Sequence, residues 1–168
     1  MDKLELILPY LIPFFPICRG YGDKRLKMNK RGENPRIIVF GNMRDINTGK
    51  IISCKGDKKF PLIKILLEEI AKEHFPDFKY TNFQINHNVE CLPHYDSKNA
   101  GNQYIFTLGN FTNGFLGTEN GNVSIYKNPI NINGSKIKHW TEPFEGDRFC
   151  VIFYSNISRQ PLKGKNHT

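Results

Sequence analysis

The apolar residues of this chain follow two different patterns, which change near residue 80. Before that point one segment has helical spacing: it has Pro61 in its first turn, apolar residues three and four positions apart, and Pro76 at its end. The positions with this spacing are Leu62, Ile63, Leu66, Leu67, Ile70 and His74. The pattern predicts a support helix within residues 61–80.

Residues 1–60 are predicted to form a basic extension that packs on the core. Residues 1–22 make an apolar arm that three prolines interrupt, so we expect a short helix or an extended segment. Residues 23–36 are polar and basic, as in a loop. Residues 36–40 then predict one short buried strand, which ends at a glycine.

After Tyr80 the segments become short, rich in β-branched and aromatic residues, and separated by Asn and Gly. Such spacing with turn signals is typical of a β-sandwich or barrel, so the fold class is mainly β with an N-terminal α part. Residues 81–157 are long enough for a minimal jelly roll, and residues 158–168 form a basic tail. The predicted strands are 82–89, 103–108, 114–117, 122–126, 130–133, 136–140 and 148–154.

Positive charge is concentrated in the N-terminal third. The chain has 24 Lys and Arg against 16 Asp and Glu; residues 1–60 hold 13 and 6 of these, whereas residues 61–168 hold 11 and 10. The excess favours an anionic partner such as nucleic acid, with a solvated basic face as the alternative. The basic side chains expected to contact phosphates are Lys24, Arg25, Lys27, Lys30 and Arg31.

The cysteines and the N-terminus indicate a cellular compartment. The 4 cysteines are far apart and form no C-x-x-C pair, which predicts free thiols and an intracellular protein, cytoplasmic or nuclear. The apolar run from Leu4 to Ile17 is too short to span a bilayer, and no small-residue cleavage site follows it. We therefore expect neither a signal peptide nor a membrane partner.

The tripeptide His94-Tyr95-Asp96 is the first candidate for chemistry, since side chains two positions apart on a strand face the same side. The strand-like segment around His139 offers a third ligand, whereas His87 is an odd number of positions from His94 and would point away. His94, Asp96 and His139 would form a 2-His-1-carboxylate triad. That donor set suits non-heme Fe(II) and leaves positions open for a cosubstrate and O₂.

Arg148 adds a candidate anchor for that cosubstrate. The Pro and Gly between His139 and Arg148 indicate a turn with its midpoint at (139 + 148)/2 = 143.5, between Pro143 and Phe144. A hairpin folded there would place His139 and Arg148 opposite each other on one face. The guanidinium would then bind the distal carboxylate of 2-oxoglutarate in a bidentate way.

Each of these signals is weak when taken singly. Most H-x-D tripeptides bind no metal, a later histidine adds little, and an arginine near a strand end usually lies on the surface. Their order, their strand-rich context and the spacing before Arg148 together favour a metal site.

Three motifs of this region resemble those of the Fe(II)/2-oxoglutarate-dependent dioxygenases. They are PHYDSKNAG at 93–101, LGNFTNGFL at 108–116, and the run from NG at 133–134 through HWTEPFEGDRF at 139–149. Within that superfamily, residues 83–155 look most like the TET/J-binding-protein type and related short proteins of viruses, fungi and plants. Two positions that are acidic in the family pattern are Asn110 and Asn133 here.

The resemblance implies a double-stranded β-helix, a cupin-like jelly roll supported by at least one helix. It also implies Fe(II), 2-oxoglutarate and O₂ as cofactor and cosubstrates. His94, Asp96 and His139 would bind the iron, and Arg148 would anchor 2-oxoglutarate. Tyr104 is a further candidate contact for 2-oxoglutarate, with ordinary core packing as the alternative.

For the substrate, the resemblance and the basic N-terminal third favour a nucleobase, such as the methyl group of thymine or 5-methylcytosine. Such a base must be flipped or single-stranded to reach the iron. The alternative is a protein side chain, as in prolyl hydroxylases. Against it, Cys91 stands where many of those enzymes have a tyrosine, and the anchor is Arg148 where many have a lysine. A catalytically silent binding module of the same fold is the third interpretation.

Overall fold

The computed structural model describes residues 1–17, 36–45 and 47–156. Outside these residues lie the basic side chains predicted to contact phosphates: Lys24, Arg25, Lys27, Lys30 and Arg31. The predicted basic tail at 158–168 lies outside them as well. Among the described residues, no helix is both long and apolar enough to cross a lipid bilayer.

The helices of the described residues all lie in the N-terminal half of the chain. They are α1 (Asp2–Leu11), a 3₁₀ turn (Ile12–Phe14), α2 (Lys55–Lys59) and α3 (Pro61–His74). The described part of the predicted apolar arm, residues 1–17, is thus largely helical, and it packs on the core through Leu4 and Leu8, both fully buried. Pro61 occupies the first turn of α3, as predicted, because its missing N–H has no helical partner at that position.

The strands of the described residues form two antiparallel sheets. In chain order they are β1 (Arg36–Arg44), β2 (Ile51–Ser53), β3 (Asn82–His87), β4 (Gln103–Asn113), β5 (Leu116–Thr118), β6 (Gly121–Val123), β7 (Ile130–Ile132), β8 (His139–Thr141) and β9 (Phe144–Tyr154). The large sheet has the order β2-β1-β3-β9-β4-β7, and the small sheet has the order β6-β5-β8. This confirms the predicted class, mainly β with N-terminal helices.

The two faces of the large sheet have different roles because side chains alternate along a strand. On β9, the side chains of Phe149, Val151 and Phe153 belong to the buried cluster that packs against the helices. Those of Arg148, Cys150 and Ile152, which alternate with them, line a cavity on the other face. The same strand therefore builds the core with one face and the candidate site with the other. The cluster on the helical side contains Leu4, Leu8, Phe15, Ile38, Phe40, Phe60, Ile63, Leu67, Ile70, Ala71, Phe75, Phe83, Ile85, Phe106, Leu108, Phe149, Val151 and Phe153.

The predicted hairpin between His139 and Arg148 is wrong. β8 pairs with β5 in the small sheet, where His139 stands opposite Thr118, whereas Arg148 on β9 stands opposite Gly109 in the large sheet. Pro143, expected at the tip of a hairpin, lies where the chain passes from one sheet to the other. A turn signal between two strands looks the same in both arrangements, and the spacing cannot distinguish them.

Several strand boundaries also differ from the predictions. β4 continues to Asn113, beyond the predicted end at 108, because its second half pairs with the first half of β9. It ends at Asn113 and Gly114, whose φ angles of 62° and 66° are in the left-handed region that Asn and Gly tolerate. β2 (Ile51–Ser53) has no counterpart among the predicted strands.

Candidate metal centre

Two histidines stand directly opposite each other at one end of the cavity. His94 and His139 form an antiparallel bridge in which each backbone N–H donates to the other residue's carbonyl, at 3.0 and 3.1 Å. Their ring centroids are 4.5 Å apart. Backbone pairing thus fixes the separation of the two imidazoles before any ligand binds.

The tautomer of both rings follows from their hydrogen bonds. Nδ1 of His94 lies 2.7 Å from the carbonyl oxygen of Leu92, and Nδ1 of His139 lies 2.9 Å from that of Ile137. A carbonyl oxygen can only accept, so Nδ1 must carry the proton in each ring. In a neutral ring the lone pair then lies on Nε2, which faces Asp96 in both histidines, and metal-binding histidines use the same tautomer.

Asp96 completes the group. Its Oδ1 lies 3.7 Å from Nε2 of His94, and its Oδ2 lies 3.4 Å from Nε2 of His139. The candidate ligand atoms of the three residues all lie within 4.8 Å of one another. The structure therefore brings together the three residues that the sequence analysis proposed as a triad, and His87 instead contacts Asp147, as the parity argument required.

Asp96 and His139 shift each other's pKa values. Burial raises the pKa of Asp96, but the hydrogen bond and charge of His139 and the amide of Gln103 outweigh it, so the net pKa falls below its usual value. Burial lowers the pKa of His139, but Asp96 and the carbonyl of Ile137 outweigh it, so the net pKa rises. The same contact therefore favours both the ionised form of Asp96 and the protonated form of His139.

Arg148 lines the same cavity from the large sheet and is only 2% exposed. Its guanidinium carbon lies 5.7 and 5.3 Å from the ring centroids of Phe111 and Phe144. The Nε atom is buried and has no hydrogen-bond partner. Burial lowers the pKa of Arg148, but a guanidinium stays protonated at neutral pH. A buried guanidinium with an unsatisfied donor can bind an anion such as a carboxylate.

The cavity also contains polar residues that the sequence analysis did not single out as site residues. Gln84 and Asn86 reach it from β3, where the amide of Gln84 donates to Asn86 at 3.0 Å. Cys150 lies two positions after Arg148 on the same face, and burial raises the pKa of its thiol, so the thiol stays neutral beside the arginine. In the sequence, Gln84 and Asn86 alternate with Phe83 and Ile85, which could have indicated a polar cavity face. The same alternation is found in any strand with one face in solvent, so it did not single these residues out.

Tyr104 does not join these residues. Its ring stacks on Phe75, with centroids 4.3 Å apart, and meets Phe78 edge-on at 5.0 Å. The cavity is lined by its neighbour Ile105, whose side chain points to the opposite face of β4. The prediction that Tyr104 contacts 2-oxoglutarate is therefore wrong, and the alternative of core packing is the one observed.

Several solved structures share the fold of this chain. NgTET1 in complex with 5mC DNA matches with a TM-score of 0.55 and 13% identity, over 92% of this chain and 69% of that chain. A Pseudomonas putida prolyl-4-hydroxylase matches with a TM-score of 0.53 and 11% identity, over 93% and 88%. A Trichoplax adhaerens prolyl hydroxylase in complex with a peptide of hypoxia inducible factor matches with 0.50 and 13%, over 98% and 80%.

No protein-family model and no curated protein matches the sequence. At such low identities the structural likeness establishes the fold alone, a double-stranded β-helix. The predicted fold is confirmed.

The residues of the cavity fit the groups that the sequence resemblance implies. Two neutral imidazoles and one carboxylate are a donor set that suits Fe(II). The unsatisfied Nε of Arg148 fits the carboxylate of a dicarboxylic cosubstrate.

Proposed function

We propose that this chain is an Fe(II)- and 2-oxoglutarate-dependent dioxygenase that hydroxylates a C–H bond. The observation that carries the proposal is one cavity that contains the triad of His94, Asp96 and His139 together with the buried Arg148, whose Nε has no hydrogen-bond partner. The bound cofactor and cosubstrates would supply the oxidation, in which 2-oxoglutarate is converted to succinate and CO₂ while one oxygen atom enters the substrate.

The side chains of the cavity would bind the metal and orient the cosubstrate. The imidazoles of His94 and His139 present neutral Nε2 atoms to the metal, and Asp96 supplies the negative charge that offsets part of the metal's charge. Arg148 binds a carboxylate where burial limits competition from water. Hydroxylation of this kind requires no general base, so the residues of the cavity need only hold the reactants in place.

For the substrate we propose a nucleobase carried on a flipped or single-stranded nucleotide. Support comes from the likeness of fold to NgTET1, which is bound to 5mC DNA. Further support comes from three lysines close in sequence to the metal ligands: Lys98, two positions after Asp96, and Lys136 and Lys138, just before His139. Lys98 and Lys136 are exposed and Lys138 is half-buried.

No acidic residue offsets these lysines in the segments that carry them. Residues 97–118 and 127–141 contain no Asp or Glu. Asp96 and Glu119 border the first segment and Glu142 follows the second, and the carboxylate of Asp96 faces the metal site. These lysines suit a partner with regularly spaced phosphates. The exposed Tyr95 offers a ring on which a base can stack.

The test is nucleoside mass spectrometry after incubation with Fe(II), 2-oxoglutarate and DNA or RNA, each single-stranded and double-stranded. We expect a hydroxymethyl base to form together with succinate, and neither to form with the Asp96→Ala variant. Succinate formation without an oxidised base in any nucleic acid would overturn the substrate proposal and leave the reaction class intact.

The second candidate substrate is a protein side chain such as proline. Two of the solved structures with this fold are prolyl hydroxylases, one of them bound to a peptide. Hydroxylated peptide together with unmodified nucleic acid would select this candidate. A protein that neither binds metal nor forms succinate would be the silent module.

A further inference from the structure

We infer that Gln103 is a positioning residue that holds the carboxylate of Asp96 in its metal-binding orientation; the inference rests on the proposed metal site. Gln103 begins β4 and is fully buried. Its side-chain Nε2 donates a hydrogen bond of 2.9 Å to Oδ2 of Asp96. Gln103 does not line the cavity, so it acts on the metal only through Asp96.

The orientation of the Gln103 amide is determined by its neighbours. An ionised carboxylate can only accept, so the nitrogen of the amide must face Asp96. The other end of the amide, Oε1, accepts a hydrogen bond of 2.7 Å from Nδ2 of Asn99. Asn99 also donates its backbone N–H to the carbonyl of Asp96, at 2.9 Å. Side chain and backbone together close a ring of hydrogen bonds around the aspartate.

Gly134 provides the space in which Gln103 lies. A Cβ atom at position 134 would stand 2.6 Å from Nε2 and 2.8 Å from Cδ of Gln103, which is too close for any real contact. The carbonyl of Gly134 accepts a hydrogen bond of 2.8 Å from the backbone N–H of Asp96. The glycine therefore supports Asp96 twice, directly through its carbonyl and indirectly by leaving room for the amide.

A neutral amide suits this position for an electrostatic reason. An arginine or lysine would form an ion pair with Asp96 and compete with a metal for its negative charge. An apolar residue would leave the carboxylate free to rotate away from the histidines. The amide restrains the orientation and leaves the charge available to a cation, as outer partners of metal ligands commonly do.

The inference is tested with Gln103→Met, which keeps the length of the side chain and removes the donor. Titration calorimetry with Mn(II) on the metal-free protein measures the Kd, and thermal unfolding measures stability. We expect Mn(II) to bind about tenfold or more weakly, the size of effect found for outer partners of metal ligands. Gly134→Ala, which displaces Gln103 without changing it, is a second variant and should weaken Mn(II) binding in the same direction.

Asn82→Leu is the matched control. Asn82 is also a fully buried amide on the large sheet, but it donates to the carbonyls of Phe40 and Asn42, away from the triad. We expect this variant to lower the melting temperature and leave the Mn(II) Kd unchanged. Wild-type Mn(II) affinity in Gln103→Met, or an equal loss of affinity in Asn82→Leu, would overturn the inference. A wild-type protein that binds no Mn(II) would instead refute the proposed metal site, and the inference with it.

Discussion

His139 and Arg148 line one cavity from two different sheets, although only eight residues separate them in the chain. His139 lies on β8 of the small sheet, and Arg148 lies near the start of β9 in the large sheet. The short connection through Pro143 therefore carries the chain from the metal ligands to the anion site. Metal and cosubstrate would be bound by neighbouring parts of the sequence, but their separation is set by the packing of the sheets.

The first prediction concerns the anion site. Replacing Arg148 with alanine should raise the KM for 2-oxoglutarate at least tenfold, because a buried charged hydrogen bond to a carboxylate is lost. The KM is measured from succinate formation, and the Kd for Mn(II) is measured in parallel. Since Arg148 contacts none of the metal ligands in the proposed scheme, Mn(II) binding should remain close to that of the wild type. An unchanged KM would contradict the assignment.

The second prediction concerns the triad. His139→Ala and Asp96→Ala should each abolish succinate formation and weaken Mn(II) binding, because each removes one of three protein ligands. His87→Ala is the matched histidine control, since His87 bonds Asp147 and not the triad. We expect this control to bind Mn(II) as the wild type does. Full turnover in either ligand variant would refute the triad.

The third prediction concerns pH. The pKa of His139 is raised in the metal-free protein, where Asp96 stabilises the protonated ring. A protonated Nε2 cannot bind a metal, so protons compete with the metal up to a higher pH than at an ordinary histidine. The Kd for Mn(II) should therefore rise, meaning weaker binding, as pH falls through the raised pKa of His139. In Asp96→Asn the metal binds more weakly, but the midpoint of this change should move to lower pH.

The fourth prediction concerns the three lysines close in sequence to the metal ligands. Replacing Lys98, Lys136 and Lys138 together with alanine should weaken single-stranded DNA binding and reduce the slope of log K against log salt by about 2, at roughly 0.7 per phosphate contact. The matched control replaces three lysines elsewhere: Lys58, Lys59 and Lys72. Fluorescence anisotropy over a salt series measures both proteins. An equal effect of the two triple variants would indicate that only net charge matters.

The sequence predicted the residues of the metal site better than the strand pairing that positions them. His94, Asp96 and His139 could be found because so few histidines are available and because the resemblance covers them. The partner of β8 could not be found, because a Pro-Gly turn signal fits both a hairpin and a passage between sheets. Tyr104 was assigned to the wrong face of β4, since a strand that is buried on both sides gives no polar alternation to read.

Gln103 illustrates a different limit. Its role depends on Asn99, Gly134 and Asp96 meeting around one amide. Asn99 and Asp96 are close to Gln103 in sequence, whereas Gly134 is distant and contributes through its missing Cβ. Residue type alone cannot indicate such a role. The resemblance of residues 133–134 to a family motif singled out Gly134, but it did not indicate that this glycine leaves room for Gln103.

The alternation along β9 affects how this protein can change. Phe149, Val151 and Phe153 hold the core, and Arg148, Cys150 and Ile152 between them line the cavity. A substitution in the cavity set can change what the cavity binds without disturbing the core set, so the fold is retained. An insertion or deletion of one residue in this strand would exchange the two sets, placing a guanidinium in the core and a phenyl ring at the cosubstrate. We therefore expect the length of β9 to be far less tolerant of change than its composition.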